Sequence, residues 1–173
     1  MSAMASILET ETSETTAPAL DSESSQYLQM LLRTGIPILQ HKNRKSKMGV
    51  FTSRPRLLRL SPNFSELQLV AANEGADWSA ANRVAVVDIL RLAPGTQASN
   101  AFAAALAKKG NDKAVAAEER CLSVVFGGGQ WDIELSSDWL SCLDGSDGVS
   151  LRNEILTFLT RLLQVCTATA PCT

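Results

Sequence analysis

The chain contains one histidine, and its four cysteines, Cys121, Cys142, Cys166 and Cys172, include no C-x-x-C pair. A zinc site needs sulfur and nitrogen ligands at short spacings, and a disulfide scaffold needs a dense cysteine framework. Neither pattern is present, so no metal and no cofactor is expected. The thiols read as reduced, as in a cytosolic protein. The single histidine, His41, has no assignable nucleophile and acid in the sequence, and no paired-carboxylate pattern occurs. The chain therefore reads as non-catalytic. No apolar run approaches the roughly 20 residues that span a bilayer. The opening residues, MSAMASILETETSETT, lack a basic cluster followed by an apolar block and do not read as a signal peptide. Ser2 in place of glycine removes N-myristoylation, and a cysteine second from the end does not fit a prenylation box. Membrane contact, if made, is expected to be peripheral and from the cytoplasm.

Hydrophobic residues make up 45% and charged residues 20%, so a chain of 173 residues can bury the core of one domain. Residues 1–25 stand apart from it. They hold Glu9, Glu11, Glu14, Asp21 and Glu23 and no Lys or Arg, the composition of a disordered tail. The domain is expected over 26–166, with a short tail at 167–173. A short helix near Ser25–Arg33 would place Tyr27, Met30 and Leu31 on one face.

The middle of the chain reads as short strands. "ELQLVA" alternates Leu67 and Leu69, and "QWDIELS" alternates Trp131, Ile133 and Leu135. "RVAVVDILRLAP" is rich in Val, Ile and Leu and breaks at Pro94-Gly95, and "GGGQ" reads as a hairpin turn, because no Lys-Ser/Thr follows to make it a phosphate loop. Asp88 reads as a turn residue, Trp131 as core, and Trp78 as a side chain folded onto the sheet. "SNAFAAALAKKG" suggests a short helix closed by Gly110, followed by a long loop, "KKGNDKAVAAEE". In "SLRNEILTFLTRLLQV", Leu151, Ile155, Phe158, Leu159 and Leu162 recur with helical period, and Ser150 is compatible with an N-cap. Strands followed by one amphipathic helix point to a mainly β fold with α, a seven-stranded antiparallel barrel or sandwich capped by the C-terminal helix.

The net charge is −2, yet the stretch HKNRKSKMGVFTSRPRLLRL from His41 to Leu60 carries Lys42, Arg44, Lys45, Lys47, Arg54, Arg56 and Arg59 and no acidic residue. Nucleic-acid binding normally brings a basic domain or stacking aromatics. Phe51 is the only aromatic in this run besides His41, so no nucleic-acid partner is expected. Phosphate fits better. An arginine fork binds it bidentately, and residues two apart on a strand face the same way, so Arg54 and Arg56 share a side across Pro55. Basic side chains near an anionic leaflet contribute about 1 kcal/mol each, which alone gives weak, reversible binding. Met48, Val50 and Phe51 among the basic residues could dip between headgroups. The acidic tail could compete for the same basic segment.

The order of elements, with "LLRTGIPILQHK", "RPRLLRLSPNFSELQLV", "VVDILRLAPGTQASNAF" and "EERCLSVVFGGGQWDIEL", resembles the pleckstrin homology (PH) domain, nearest the phospholipase C-type subgroup, over about residues 26–166. No phospholipase catalytic domain fits in the chain. The resemblance implies a PH-like barrel in which Lys42, at the end of the first strand, and Arg54 and Arg56, at the start of the second, hold an inositol phosphate headgroup. Arg44 and Lys45 extend that site, and Lys47, Met48, Val50 and Phe51 form the membrane-contacting loop. The implied partners are anionic membrane lipids, phosphoinositides above all, with a protein partner as the alternative. Two departures bear on the site. Gln40 stands where strong binders carry a second Lys, and the stretch before Arg83 is acidic. The helix carries Phe158 where the family usually has Trp, and Trp139 is expected to begin an extra turn of helix.

Overall fold

The computed structural model describes residues 23–43, 51–73, 77–98, 100–108, 110–141 and 148–168. Helix α1 (Glu23–Thr34) leads into seven strands: β1 (Ile36–Asn43), β2 (Phe51–Leu60), β3 (Glu66–Ala71), β4 (Asn82–Ala85), β5 (Ile89–Pro94), β6 (Cys121–Phe126) and β7 (Gly129–Leu135). Helices α2 (Asn100–Ala107) and α3 (Asn111–Glu118) lie between β5 and β6. A single turn, α4 (Ser137–Leu140), precedes the long helix α5 (Gly148–Ala168). The strands form one antiparallel sheet in the order β4-β3-β2-β1-β7-β6-β5, which does not close. The result is a PH-like layout of curved antiparallel sheet and C-terminal helix.

Period-two alternation divides the sheet into two faces. The register pairs Ile36 with Leu58, Ile38 with Leu135, Leu58 with Leu69, and Leu122 with Ile133. These side chains make the inner face and are fully buried, as are Leu60 and Leu67. Helix α5 covers them with Leu151, Ile155, Phe158 and Leu159, the stripe read from its sequence. Burying each such side chain contributes about 1.5–3 kcal/mol, so this layer dominates the stability of the fold.

Several local expectations change. Helix α1 turns Leu28 and Leu32 into the core, while Tyr27 and Met30 are exposed. The stronger apolar pair, four residues apart, takes the buried face. Gly35 ends the helix with φ +111°, its N–H donating to the Leu31 carbonyl, a conformation that disfavours any side chain. "RVAVVDILRLAP" is not one strand. A 3₁₀ turn at Val86–Asp88 breaks it into β4 and β5, the two edges of the sheet. Gly110 does not close a helix before a loop; it caps the N-terminus of α3, which occupies the expected loop. Ser150 lies inside the first turn of α5, which begins at Gly148. Trp139 does sit in an extra turn, with Ser136 as its N-cap. No helix among the described residues is long and apolar enough to cross a membrane.

Candidate anion-binding site

The inner face changes character along β1. Its inward residues run Ile36, Ile38, Gln40, Lys42, from the end covered by α5 to the open end. Across the ladder on β2, Leu58, Arg56, Arg54 and Thr52 stand opposite them in the same order. Paired residues of an antiparallel ladder share a face. Lys42, Arg54 and Arg56 are thus brought to one side of the sheet, around Gln40. Lys42 and Arg54 are exposed and Arg56 is half-buried. Arg44, Lys45, Lys47, Met48 and Val50 lie outside the described residues. Phe51 opens β2, opposite Asn43.

Among the described residues three buried side-chain polar atoms have no hydrogen-bond partner: Gln40 Oε1 and Arg56 Nε at this end, and Arg120 Nε on the outer face. Gln40 is only 2% exposed. A buried polar group left unpaired costs about 1–3 kcal/mol, so each such atom calls for an explanation. Gln40 Oε1 is an acceptor and Arg56 Nε a donor. A cleft of about 380 Å³ opens beside Gln40 and Lys42, walled by Arg83 and Val84 from β4 and by Phe126, Gln130 and Trp131 from the β6–β7 hairpin. Arg83 is already engaged, with Nη1 donating to Glu66 Oε2 at 3.2 Å and Nη2 to the Trp78 carbonyl at 2.9 Å.

The opposite face of the same strands holds a buried polar chain that the sequence did not suggest. His41 is 4% exposed and sits between Ser53 on β2 and Glu134 on β7. His41 Nε2 lies 2.9 Å from Glu134 Oε2, and Ser53 Oγ lies 3.0 Å from His41 Nδ1. The carboxylate can only accept, so in the neutral ring Nε2 carries the proton and Nδ1 accepts from the Ser53 hydroxyl. Arg120 Nη2 donates to the other oxygen of Glu134 at 3.0 Å. The Phe102 ring of α2 lies over the imidazole, centroids 5.0 Å apart, and Leu106, Ala117 and Cys121 complete a small apolar cap. The α2–α3 insertion thus seals an ion-paired network on the outside of the sheet. The chain of bonds ties β2, β1 and β7 together.

Sequence reasoning named Gln40 only as the place of a missing Lys, although it continues the inward series of Ile36 and Ile38. Glu134 had no such signal, because its partner lies 93 residues away. Among the described residues no group of His, Cys, Asp and Glu side chains could hold a metal ion. A scan against protein-family models finds no match to this sequence, and a search of curated proteins finds none either.

Proposed function

We propose that the open end of the sheet binds a phosphorylated, hydroxyl-bearing anion, the inositol phosphate headgroup of a membrane lipid, and that the protein is a non-catalytic PH-type module acting at the cytoplasmic membrane surface. The observation that carries this reading is the pairing of two unsatisfied buried atoms, Gln40 Oε1 and Arg56 Nε, with Lys42 and Arg54 on the same face. A hydroxyl can donate to Gln40 Oε1, and an anionic phosphate oxygen accepts from Arg56 Nε–H more strongly than a neutral group does. An inositol phosphate presents both. Lys42 and Arg54 have no ion-pair partner among the described residues, so their charge is available to the ligand. The absence of a second Lys at Gln40 points to modest affinity, supplemented by the general attraction of basic residues to an anionic leaflet. The placement of His41 supports a structural role for the only histidine: it is sealed under Phe102, and its carboxylate partner is shared with Arg120.

The test is co-sedimentation with vesicles in about 0.15 M salt, an ionic strength that screens unspecific surface attraction beyond about 8 Å. Neutral, phosphatidylserine and phosphoinositide vesicles are compared for the wild type and Arg54→Glu/Arg56→Glu. Binding to a phosphoinositide that the double variant loses supports the reading. Binding that follows total vesicle charge alone reduces the site to an electrostatic anchor, and no binding to any vesicle rejects it.

One observation favours a second reading, a protein-interaction module. Val87 and Leu90 are 60% and 72% exposed at the gap between β4 and β5, where an extended peptide could add to the edge of the sheet. Leu90→Asp would abolish that binding and leave vesicle binding unchanged.

A further inference from the structure

The outer face of β2 and β3 carries a second basic cluster, at the other end of β2 from Arg54. Arg59 stands opposite Gln68. Its Nε donates to Gln68 Oε1 at 2.8 Å, and Gln68 Nε2 donates in turn to Glu66 Oε2 at 3.0 Å. The Arg59 guanidinium carbon lies 3.7 Å from the centroid of the Trp78 ring. Stacking and the Nε bond hold the guanidinium in place, and its two terminal nitrogens have no acceptor among the described residues. Together with Ser61, Ser65, Glu66, Ser79 and Arg83, these groups line a groove of about 620 Å³.

The Ser61 and Ser65 hydroxyls already donate to Asn63, and Ser79 donates to Asp77. Among the described residues the free donors are therefore the terminal nitrogens of Arg59. Arg83 is paired with Glu66, and among the described residues Arg59 is the groove's one cation without a carboxylate partner. Burial, and then the nearby Arg83, lower the Arg59 pKa from its ordinary value, as expected of a cation with no counter-ion. A guanidinium fork accepts one carboxylate bidentately, and a single unpaired cation matches a carboxylate better than a phosphate dianion.

The chain supplies carboxylates within reach. Glu9, Glu11 and Glu14 lie in a stretch with no Lys or Arg. The C-terminal end of α1 abuts the groove, because a Cβ on Gly35 would meet Trp78 Cζ2 at 3.3 Å. Helix α1 is 12 residues long, so Glu23 is about 18 Å from that point along the axis. The nine residues from Glu14 to Glu23 can span about 30 Å. We infer that the Arg59–Trp78 groove holds a carboxylate of the chain's own acidic segment, residues 9–14. Tethering puts the segment at an effective concentration on the order of millimolar, enough to populate a contact that would be weak between separate molecules. Arg83 lines both this groove and the cleft beside Gln40 and Lys42, whereas Arg59 and Trp78 line only the groove, so Arg59→Gln tests this contact apart from headgroup binding.

The experiment follows the indole N–H resonance of Trp78, identified with Trp78→Phe, in the full chain. Glu9→Gln/Glu11→Gln/Glu14→Gln is expected to shift that resonance at low salt, and the shift should shrink in about 0.5 M salt, where the screening length falls below about 5 Å. In an Arg59→Gln background the triple substitution should produce no shift. Added peptide ILETETSETT, the sequence of residues 7–16, should return the resonance of the triple variant towards its wild-type position. An unmoved Trp78 resonance, or a shift that persists in Arg59→Gln, overturns the inference. A response confined to Lys42 and Arg54 also overturns it, and makes the basic segment the place where the acidic residues dock.

Discussion

Ile36 and Leu58 face each other at one end of β1 and β2, and Gln40 and Arg54 face each other at the other end, four residues along the same strands. The first pair is fully buried in the core that α1 and α5 complete. Around the second pair, Gln40 and Arg56 bury polar atoms that have no partner among the described residues. Backbone, register and face are shared, so the difference lies entirely in the side chains and in what covers them. The covered end carries the stability of the fold. The open end gives up some of that stability and keeps groups that a ligand can satisfy. Substitutions at the two ends should therefore separate stability from binding.

The largest effect is expected at the covered end. Leu58→Ala removes a fully buried side chain and should destabilise the protein by about 2–5 kcal/mol, read as a lower midpoint of urea unfolding. A cost below about 1 kcal/mol would mean that the layer under α5 is loosely packed. Next comes the sealed network on the outer face. Glu134→Gln keeps the shape but removes the charge that accepts from His41 and Arg120, and should cost about 1.5–3 kcal/mol. Headgroup binding should be unchanged, because the network points away from the open end. If Glu134→Gln abolished binding without unfolding the protein, the separation of the two faces would be wrong.

At the open end the expected stability change is smaller and its sign is open to reversal. Gln40→Leu replaces an unpaired buried amide with an apolar group of similar shape and should leave stability within about 1 kcal/mol of wild type, or raise it. Affinity for a soluble inositol phosphate should fall nonetheless. A loss of stability as large as that of Leu58→Ala would show that Gln40 is paired in solution. The smallest effect concerns Asp77. The Ser79 hydroxyl and then the Ser79 backbone N–H bond to its carboxylate and hold its pKa below the ordinary 3.8. A depressed folded pKa gives stability that is present above 3.8 and lost as the pH falls through the folded value. The stability gap between wild type and Asp77→Asn should therefore close in strongly acidic solution. A gap that widened on acidification would reverse the sign.

Much of this division was legible in the sequence. The inward series Leu67 and Leu69, then Trp131, Ile133 and Leu135, follows from period two, and the stripe of α5 follows from period 3.6. The same alternation puts Arg54 and Arg56 together. The illegible parts have physical reasons. Helix α3 buries only Ala117 among its described side chains, so it has no apolar periodicity to read. The break at Val86–Asp88 falls in a run without Gly or Pro, where Asp88, read as a turn residue, was its one local mark. The His41–Glu134 pair exists only once β1 lies beside β7, a long-range pairing that no local pattern encodes. In α1, amphipathicity was visible, but the choice between the Tyr27–Met30 side and the Leu28–Leu32 side was made by the core.

The most direct measurement of the open end is a titration of isotope-labelled protein with a soluble inositol polyphosphate, following the Arg56 Nε–H and the Gln40 side-chain amide. The expected result is that both signals move together and saturate, with Lys42 and Arg54 responding and Glu134 and His41 unmoved. Saturable binding that leaves Gln40 and Arg56 unchanged, or no binding, would contradict the assignment of their unpaired atoms to a ligand.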